Sequence, residues 1–341
     1  MRSEVRIGRS RSDRVLTLFV QLNHVPTRGR VLRLSRVIIL QGTHMDLQRK
    51  IYQQALPLRQ TVIMLITADT ASEIDSSSAS TFAAPPGSMT AANRIGVAVR
   101  PTLLFVTGFA LNATPHEAVH AATAYMLGFS STLYQMWVNP DTDTATPRQL
   151  IAIAVAGPIF SLTVGLISWF LYRQRYSRKP SGLLLLMLAI VAFYIPLGGS
   201  IGGDIHLALR FGGTSKLLTN AISIVAVLVL STMMYFMGKE LFSWAPPWFS
   251  RSKAVLCTTV GPWLIGTVLM TLVYLPSPKF LIAPNLIGSV FWLFAVIGAI
   301  RTDRTIPVAR PIRSLTQADL IVTAAALLMV RFLVHGVRLT P

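Results

Sequence analysis

Apolar residues gather into long unbroken runs, joined by short polar and basic connections. That is the pattern of helices that cross a membrane. Gln149–Tyr172, Gly182–Gly199, Leu217–Gly238, Ala254–Pro278 and Phe280–Ile300 contain no charged residue. Each is close to the roughly 20 apolar residues that a bilayer requires. Leu320–Val334 is a shorter candidate, with Arg331 near one end where its side chain can snorkel. Ile95–Phe129 precedes them all and is apolar but interrupted. As one helix it would be about 50 Å long, more than a bilayer holds. It contains Asn112-Ala-Thr-Pro115. Thr114 suits an N-cap, Pro115 the first helical position, and Glu117 completes a capping box. The pattern therefore predicts a span near 96–112 and a second, shorter helix near 115–128. The expected class is an all-α polytopic membrane protein with about six to seven transmembrane helices.

Residues 1–90 differ. They are rich in Arg, Ser and Thr, with short apolar pieces at Val37–Leu40 and Val62–Ile66. Ser72–Ser88 is a low-complexity linker with Ser76-Ser-Ser-Ala-Ser80 and Pro85-Pro-Gly87. No apolar segment follows the basic start closely, so no signal peptide is expected at Met1. This stretch reads as a basic, disordered tail, or as an extension ahead of a start at Met89. No internal repeat occurs.

Composition sharpens the picture. Only 13% of the residues are charged, about half the usual share of a soluble domain, and mean hydropathy is +0.56. A single soluble domain is excluded, as is disorder along the whole chain. Net charge is +18, from 31 Lys and Arg against 13 Asp and Glu. Most of these bases flank apolar runs, so they argue for membrane orientation and against nucleic acid as a partner. Arg173, Arg175, Arg178 and Lys179 form one cluster; Lys239, Arg251 and Lys253 a second; Arg301, Arg304, Arg310 and Arg313 a third. They fall in alternate connections, as expected if all three face the cytoplasm of a multi-pass protein in the cell (plasma) membrane. Cys257 is the single cysteine, which excludes a disulfide framework and a cysteine zinc site within one chain.

The acidic residues carry more information. Between 91 and 300 there are five: Glu117, Asp141, Asp143, Asp204 and Glu240. Asp141, Asp143 and Glu240 fall in expected loops. Glu117 and Asp204 lie near membrane depth, where a carboxylate is costly and needs a reason.

Glu117 belongs to His116-Glu117-Ala118-Val119-His120, an H-E-x-x-H. On a helix the two histidines share a face and can bind one zinc ion, while Glu117 can take a proton from zinc-bound water. The plain alternative is a pair of core histidines beside a capping glutamate. A catalytic zinc needs a third protein ligand and an open position. His24 and His44 lie in the tail, and His335 ends the last apolar segment. Asp204 is the first choice, with His206 as a supporting partner or alternative ligand. Both follow Leu197-Gly-Gly-Ser-Ile-Gly-Gly203, whose glycines permit non-helical backbone at membrane depth. An ordinary loop with Asp204 in water is the competing reading. A phosphate cradle is disfavoured, since no Walker spacing is present. Ala154-Val-Ala-Gly-Pro158 is, alone, a small-residue packing site.

In this order, three pieces resemble the site-2-protease-like family of intramembrane zinc metalloproteases (the M50 group). They are Thr114-Pro-His-Glu-Ala-Val-His-Ala-Ala-Thr-Ala-Tyr-Met-Leu-Gly128, Ile153-Ala-Val-Ala-Gly-Pro-Ile159 and Gly202-Gly-Asp-Ile-His206. The resemblance covers about 115–210. It implies that His116, His120 and Asp204 are zinc ligands and Glu117 the general base. It also implies a short β-hairpin-like insertion near 129–148, where Tyr134–Val138 precedes Asn139-Pro-Asp141. The third piece departs from the Asn-Pro-rich run leading to Asp-Gly that members commonly show. On this basis 91–215 is a metalloprotease-like membrane core and 216–341 adds further transmembrane helices. The expected function is a membrane zinc endopeptidase acting on a peptide or transmembrane protein substrate within or near the bilayer. A non-proteolytic scaffold or regulator with the same fold is the alternative, favoured by the divergent third piece. A transporter is a weaker one, because the later spans offer only Ser, Thr, Asn and Tyr.

Overall fold

The structure is a computed structural model. It describes residues 90–275, 289–302 and 314–341, together with the backbone of three strands nearer the N-terminus. The chain divides into two units, residues 1–75 and 76–341. In the first, β1 (Glu4–Arg9), β2 (Val15–Leu22) and β3 (Leu34–Gln41) form an antiparallel sheet in that order. The Ser72–Ser88 linker, Val62–Ile66, His24 and His44 lie outside the described residues.

The second unit is helical. Its first element, α1, is one continuous helix of 36 residues, Ala91–Met126. This corrects the expected break at Thr114. The true N-cap is Thr90, whose hydroxyl accepts from the Asn93 amide, and Pro101 and Pro115 both sit inside the helix. Cap chemistry at Thr114-Pro115 fails to end the helix because packing against neighbouring helices keeps it helical through the missing hydrogen bond. α1 is the centre of the bundle: about 67% of its most apolar window is buried.

A short hairpin follows, β4 (Ser131–Leu133) with β5 (Val138–Pro140), where the insertion near 129–148 was expected. Next come α2 (Pro147–Leu171), extended by a π turn at Tyr172–Tyr176, and α3 (Gly182–Gly198), which ends in a 3-10 turn at Gly199–Ile201. A short α4 (Asp204–Phe211) lies between α3 and α5 (Lys216–Phe242). α5 is peripheral, with 17% of its apolar window buried and Leu218, Val225 and Leu228 exposed. α6 runs over Arg251–Val273 with a π turn at Leu256–Val260. Two shorter helices complete the unit, α7 (Trp292–Ile300) and α8 (Gln317–Phe332). The final strand, β6 (Val337–Leu339), pairs antiparallel with β4 and makes the hairpin a three-stranded sheet, β5-β4-β6.

Among the described residues, five helices are long and apolar enough to cross a membrane: α1, α2, α3, α5 and α6. Of the expected six to seven spans, five are met by this measure. Of the candidate span Phe280–Ile300, the described part is a nine-residue helix after one 3-10 turn, and α8 has 16 residues.

Trp244 and Trp292 stand near the ends of apolar runs, where tryptophan commonly anchors at a membrane interface, yet each is 1% exposed. Trp292 packs edge-on against Phe105, and Trp244 donates to the Tyr172 hydroxyl. Glu240 is not in a loop but in the last turn of α5, where it accepts from Tyr172 and Arg173.

Candidate metal centre

α1 presents His116 and His120 one turn apart, on the side that faces α2. Both imidazoles are buried, at 2% and 3% exposure. Asp204 arrives from elsewhere. The chain leaves α3 through the 3-10 turn, and Gly202 takes φ 156°, which a residue with a side chain rarely adopts. After Gly203, Asp204 opens α4 and turns its carboxylate onto the histidines. The glycine-rich run thus supplies the non-helical backbone its composition suggested.

The three donors form a tight triangle. His116 Nε2 lies 3.0 Å from Asp204 Oδ2, His120 Nε2 lies 3.3 Å from the same oxygen, and the two nitrogens are 3.2 Å apart. A zinc ion with bonds of about 2.0–2.1 Å and tetrahedral angles holds its ligand atoms about 3.3 Å from one another. The three edges are within about 0.3 Å of that value. Among the described residues this is the group of His, Cys, Asp or Glu side chains close enough together to hold a metal ion.

The protons point to the same conclusion. His120 Nδ1 lies 2.6 Å from the Ile153 carbonyl, which can only accept, so Nδ1 carries the hydrogen. In the neutral ring Nε2 then offers a lone pair to the triangle, the form that ligates metals. His116 Nδ1 is 2.9 Å from Ser161 Oγ, with the Gly157 backbone in reach of the same ring. Asn112 Nδ2 donates to Ser161 Oγ at 3.1 Å. If both Nε2 atoms are unprotonated, their lone pairs and the carboxylate oxygen repel unless a cation lies among them; a proton on one Nε2 would instead make it a donor to Asp204. The donor set, two nitrogens and one oxygen, suits zinc.

Gly157 explains why α2 comes so near. A Cβ there would lie 2.7 Å from His116 Nε2 and overlap His120 Nε2. Only glycine leaves the two rings the room they need. The Ala-Gly-Pro piece is therefore part of the site and not only a packing motif.

Glu117 follows His116 on α1 and is half-buried. It makes no hydrogen bond or ion pair among the described residues, but is close enough to interact electrostatically with His120 and Asp204. Its carboxylate is thereby left for another partner. The Asp204 side chain is 37% exposed against 3% and 4% for the two imidazoles, so the cluster is least covered by protein on the Asp204 side.

His206 is not brought in. It stands two residues past Asp204 on α4, and positions two apart on a helix face different ways. His335 lies beyond the end of α8, outside the donor group. Sequence reasoning missed Asn112 and Ser161. Both are polar, fully buried and inside apolar spans, which was the signal available.

No protein-family model matches this chain, and neither a curated protein nor a solved structure matches it.

Proposed function

We propose that this chain is a multi-pass membrane zinc peptidase in which His116, His120 and Asp204 hold the metal and Glu117 is the general base. The donor triangle carries the reading: three neutral or anionic ligand atoms, 3.0–3.3 Å apart, with the Asp204 side chain partly exposed. A zinc ion held by His116, His120 and Asp204 would supply water of lowered pKa and would polarise the carbonyl of a bound amide. Glu117 takes the proton of the attacking water and returns it to the leaving amine as the C–N bond breaks. The peptide must be extended where it is cut, because helical amides are internally bonded and shielded.

The topology supports seven crossings. Arg100 near the start of α1 pairs with Asp319 at the start of α8 and donates to the Pro180 carbonyl in the α2–α3 connection. At the far end, β6 after α8 joins β4 after α1. α8 therefore runs beside α1 from one side of the bundle to the other, despite its 16 residues. The α2–α3 connection, the α5–α6 connection and the end of α7 share the Arg100 side and carry Arg173, Arg175, Arg178, Lys179, Arg251 and Arg301. The positive-inside rule puts that side in the cytoplasm and the metal site toward the opposite face.

Metal content and one substitution test the function. The wild type, purified in detergent without chelators, should hold about one zinc per chain and cleave reconstituted transmembrane peptides. Glu117→Gln should keep the zinc and lose cleavage by roughly 100- to 10,000-fold, the usual weight of a general base. A wild type without zinc, or Glu117→Gln with undiminished cleavage, sinks the proposal.

A further inference from the structure

The metal donors of α1 meet a matching stripe on α2. His120 faces the Ile153 carbonyl, His116 faces Gly157 and Ser161, and Asn112 faces Ser161. Ile153, Gly157 and Ser161 are spaced four apart, as are Asn112, His116 and His120. Two antiparallel helices are locked in one register along two full turns. The two histidines are held by different means. His120 is oriented by a backbone carbonyl, which no substitution removes. His116 is oriented by a side chain, Ser161 Oγ, itself fixed by Asn112, with the Gly157 backbone as a further partner of the ring.

We infer that Ser161 and Asn112 are positioning residues for the metal centre, and that the Ser161 hydroxyl fixes His116 with Nε2 free to ligate. This rests on the zinc reading above. Asn112 donates one N–H to Ser161 Oγ, and the His116 Nδ1–H takes the other acceptor position of that oxygen. With Nδ1 protonated, the neutral ring keeps its lone pair on Nε2, facing Asp204 Oδ2. Both side chains have 0% exposure, so no water replaces the bond once it is lost. A bland reading gives the pair a different task, polar adhesion between two membrane helices, which contributes stability and nothing to the metal.

The two readings separate in one experiment on the full-length protein in detergent. Zinc affinity is measured by competition with a chromogenic chelator, and thermal stability is measured on the metal-free protein. Ser161→Ala should weaken zinc binding about 10- to 100-fold, the usual weight of a bond that orients a ligand histidine. Its metal-free stability should stay near that of the wild type. Ser161→Thr keeps the hydroxyl and should bind within a few-fold of wild type. Asn112→Leu should weaken binding less than Ser161→Ala, since Ser161 remains. The cobalt-substituted Ser161→Ala protein should show altered visible bands, reporting a changed ligand field. Wild-type affinity in Ser161→Ala overturns the inference while leaving the zinc reading intact. Equal loss in Ser161→Ala and Ser161→Thr, together with lowered metal-free stability, assigns the pair to helix adhesion and overturns it too. A wild type that binds no zinc overturns both.

Discussion

The sharpest test of the metal centre is a single methyl group, Gly157→Ala. The added carbon would lie 2.7 Å from His116 Nε2 and 2.8 Å from His116 Cδ2, and it would overlap His120 Nε2. Ordinary contact begins near 3.4 Å, so the His116 ring must retreat by about 0.7 Å and the His120 ring by more. Ligand distances in a metal site hold to about 0.2 Å. The required movement is three times that tolerance at one ligand and larger at the second. If α2 withdraws instead, the bonds from His120 to Ile153 and from His116 to Ser161 lengthen, and both ligands lose orientation. Either response should lower zinc affinity by at least about 100-fold. The cost to the fold should be the smaller one of an overpacked core, about 1–3 kcal/mol.

Gly165→Ala is the matched control. Eight residues along α2, its new carbon would sit 2.9 Å from Phe193 Cε1 and 3.0 Å from Cδ1, an overpacking without a ligand nearby. It should lower thermal stability much as Gly157→Ala does and keep about one zinc per chain. Zinc is counted by mass spectrometry on detergent-purified protein, and affinity by chelator competition. Gly157→Ala with wild-type affinity would refute the placement of the metal between the histidines and α2. Equal zinc loss in Gly165→Ala would show that the effect is general loosening of the bundle.

Two other predictions follow from buried charge and from topology. Arg100 makes a two-pronged pair with Asp319 at 2.8 and 3.2 Å, with side-chain exposures of 3% and 11%; Asp319→Ala should cost about 3–5 kcal/mol by leaving Arg100 buried and unpaired. Thermal unfolding measures it, and Arg100→Met with Asp319→Leu should recover much of the loss; no destabilisation in the single variant would mean that water already screens the pair. For sidedness, Gln174→Cys and Thr144→Cys in a Cys257→Ser background should react with an impermeant maleimide from opposite faces of the membrane. Labelling from the same face would refute the seven-crossing topology.

The sequence made the long helices legible because an uncharged run of about 20 residues has few other uses. It made His116, His120 and Asp204 legible because ionisable groups are scarce in such runs. The continuity of α1 was not legible. Thr114-Pro115-His116-Glu117 is good cap chemistry in water, and only the surrounding helices let it lie mid-helix. β6 was hidden for a related reason: three residues, Val337–Leu339, carry no strand signal of their own and pair only because β4 offers an edge. The burial of Trp244 and Trp292 depends on Tyr172 and Phe105, which approach from other elements.

Why the three pieces stand in this order has a physical answer in the helix register. An antiparallel pair of helices steps in opposite directions along the chain, so His116 and His120 require their α2 partners in reverse order, Gly157 and then Ile153. A third ligand from α1 or α2 would have to share the narrow seam that Gly157 keeps open. It must therefore come from a separate element, which is what the turn from Gly199 to Gly203 provides. Charge bears on the same reading. Asp204, with Glu117 close enough to interact electrostatically, places carboxyl groups inside an apolar helical unit, where an unpaired charge is costly. Under the proposed function a divalent cation would offset that cost.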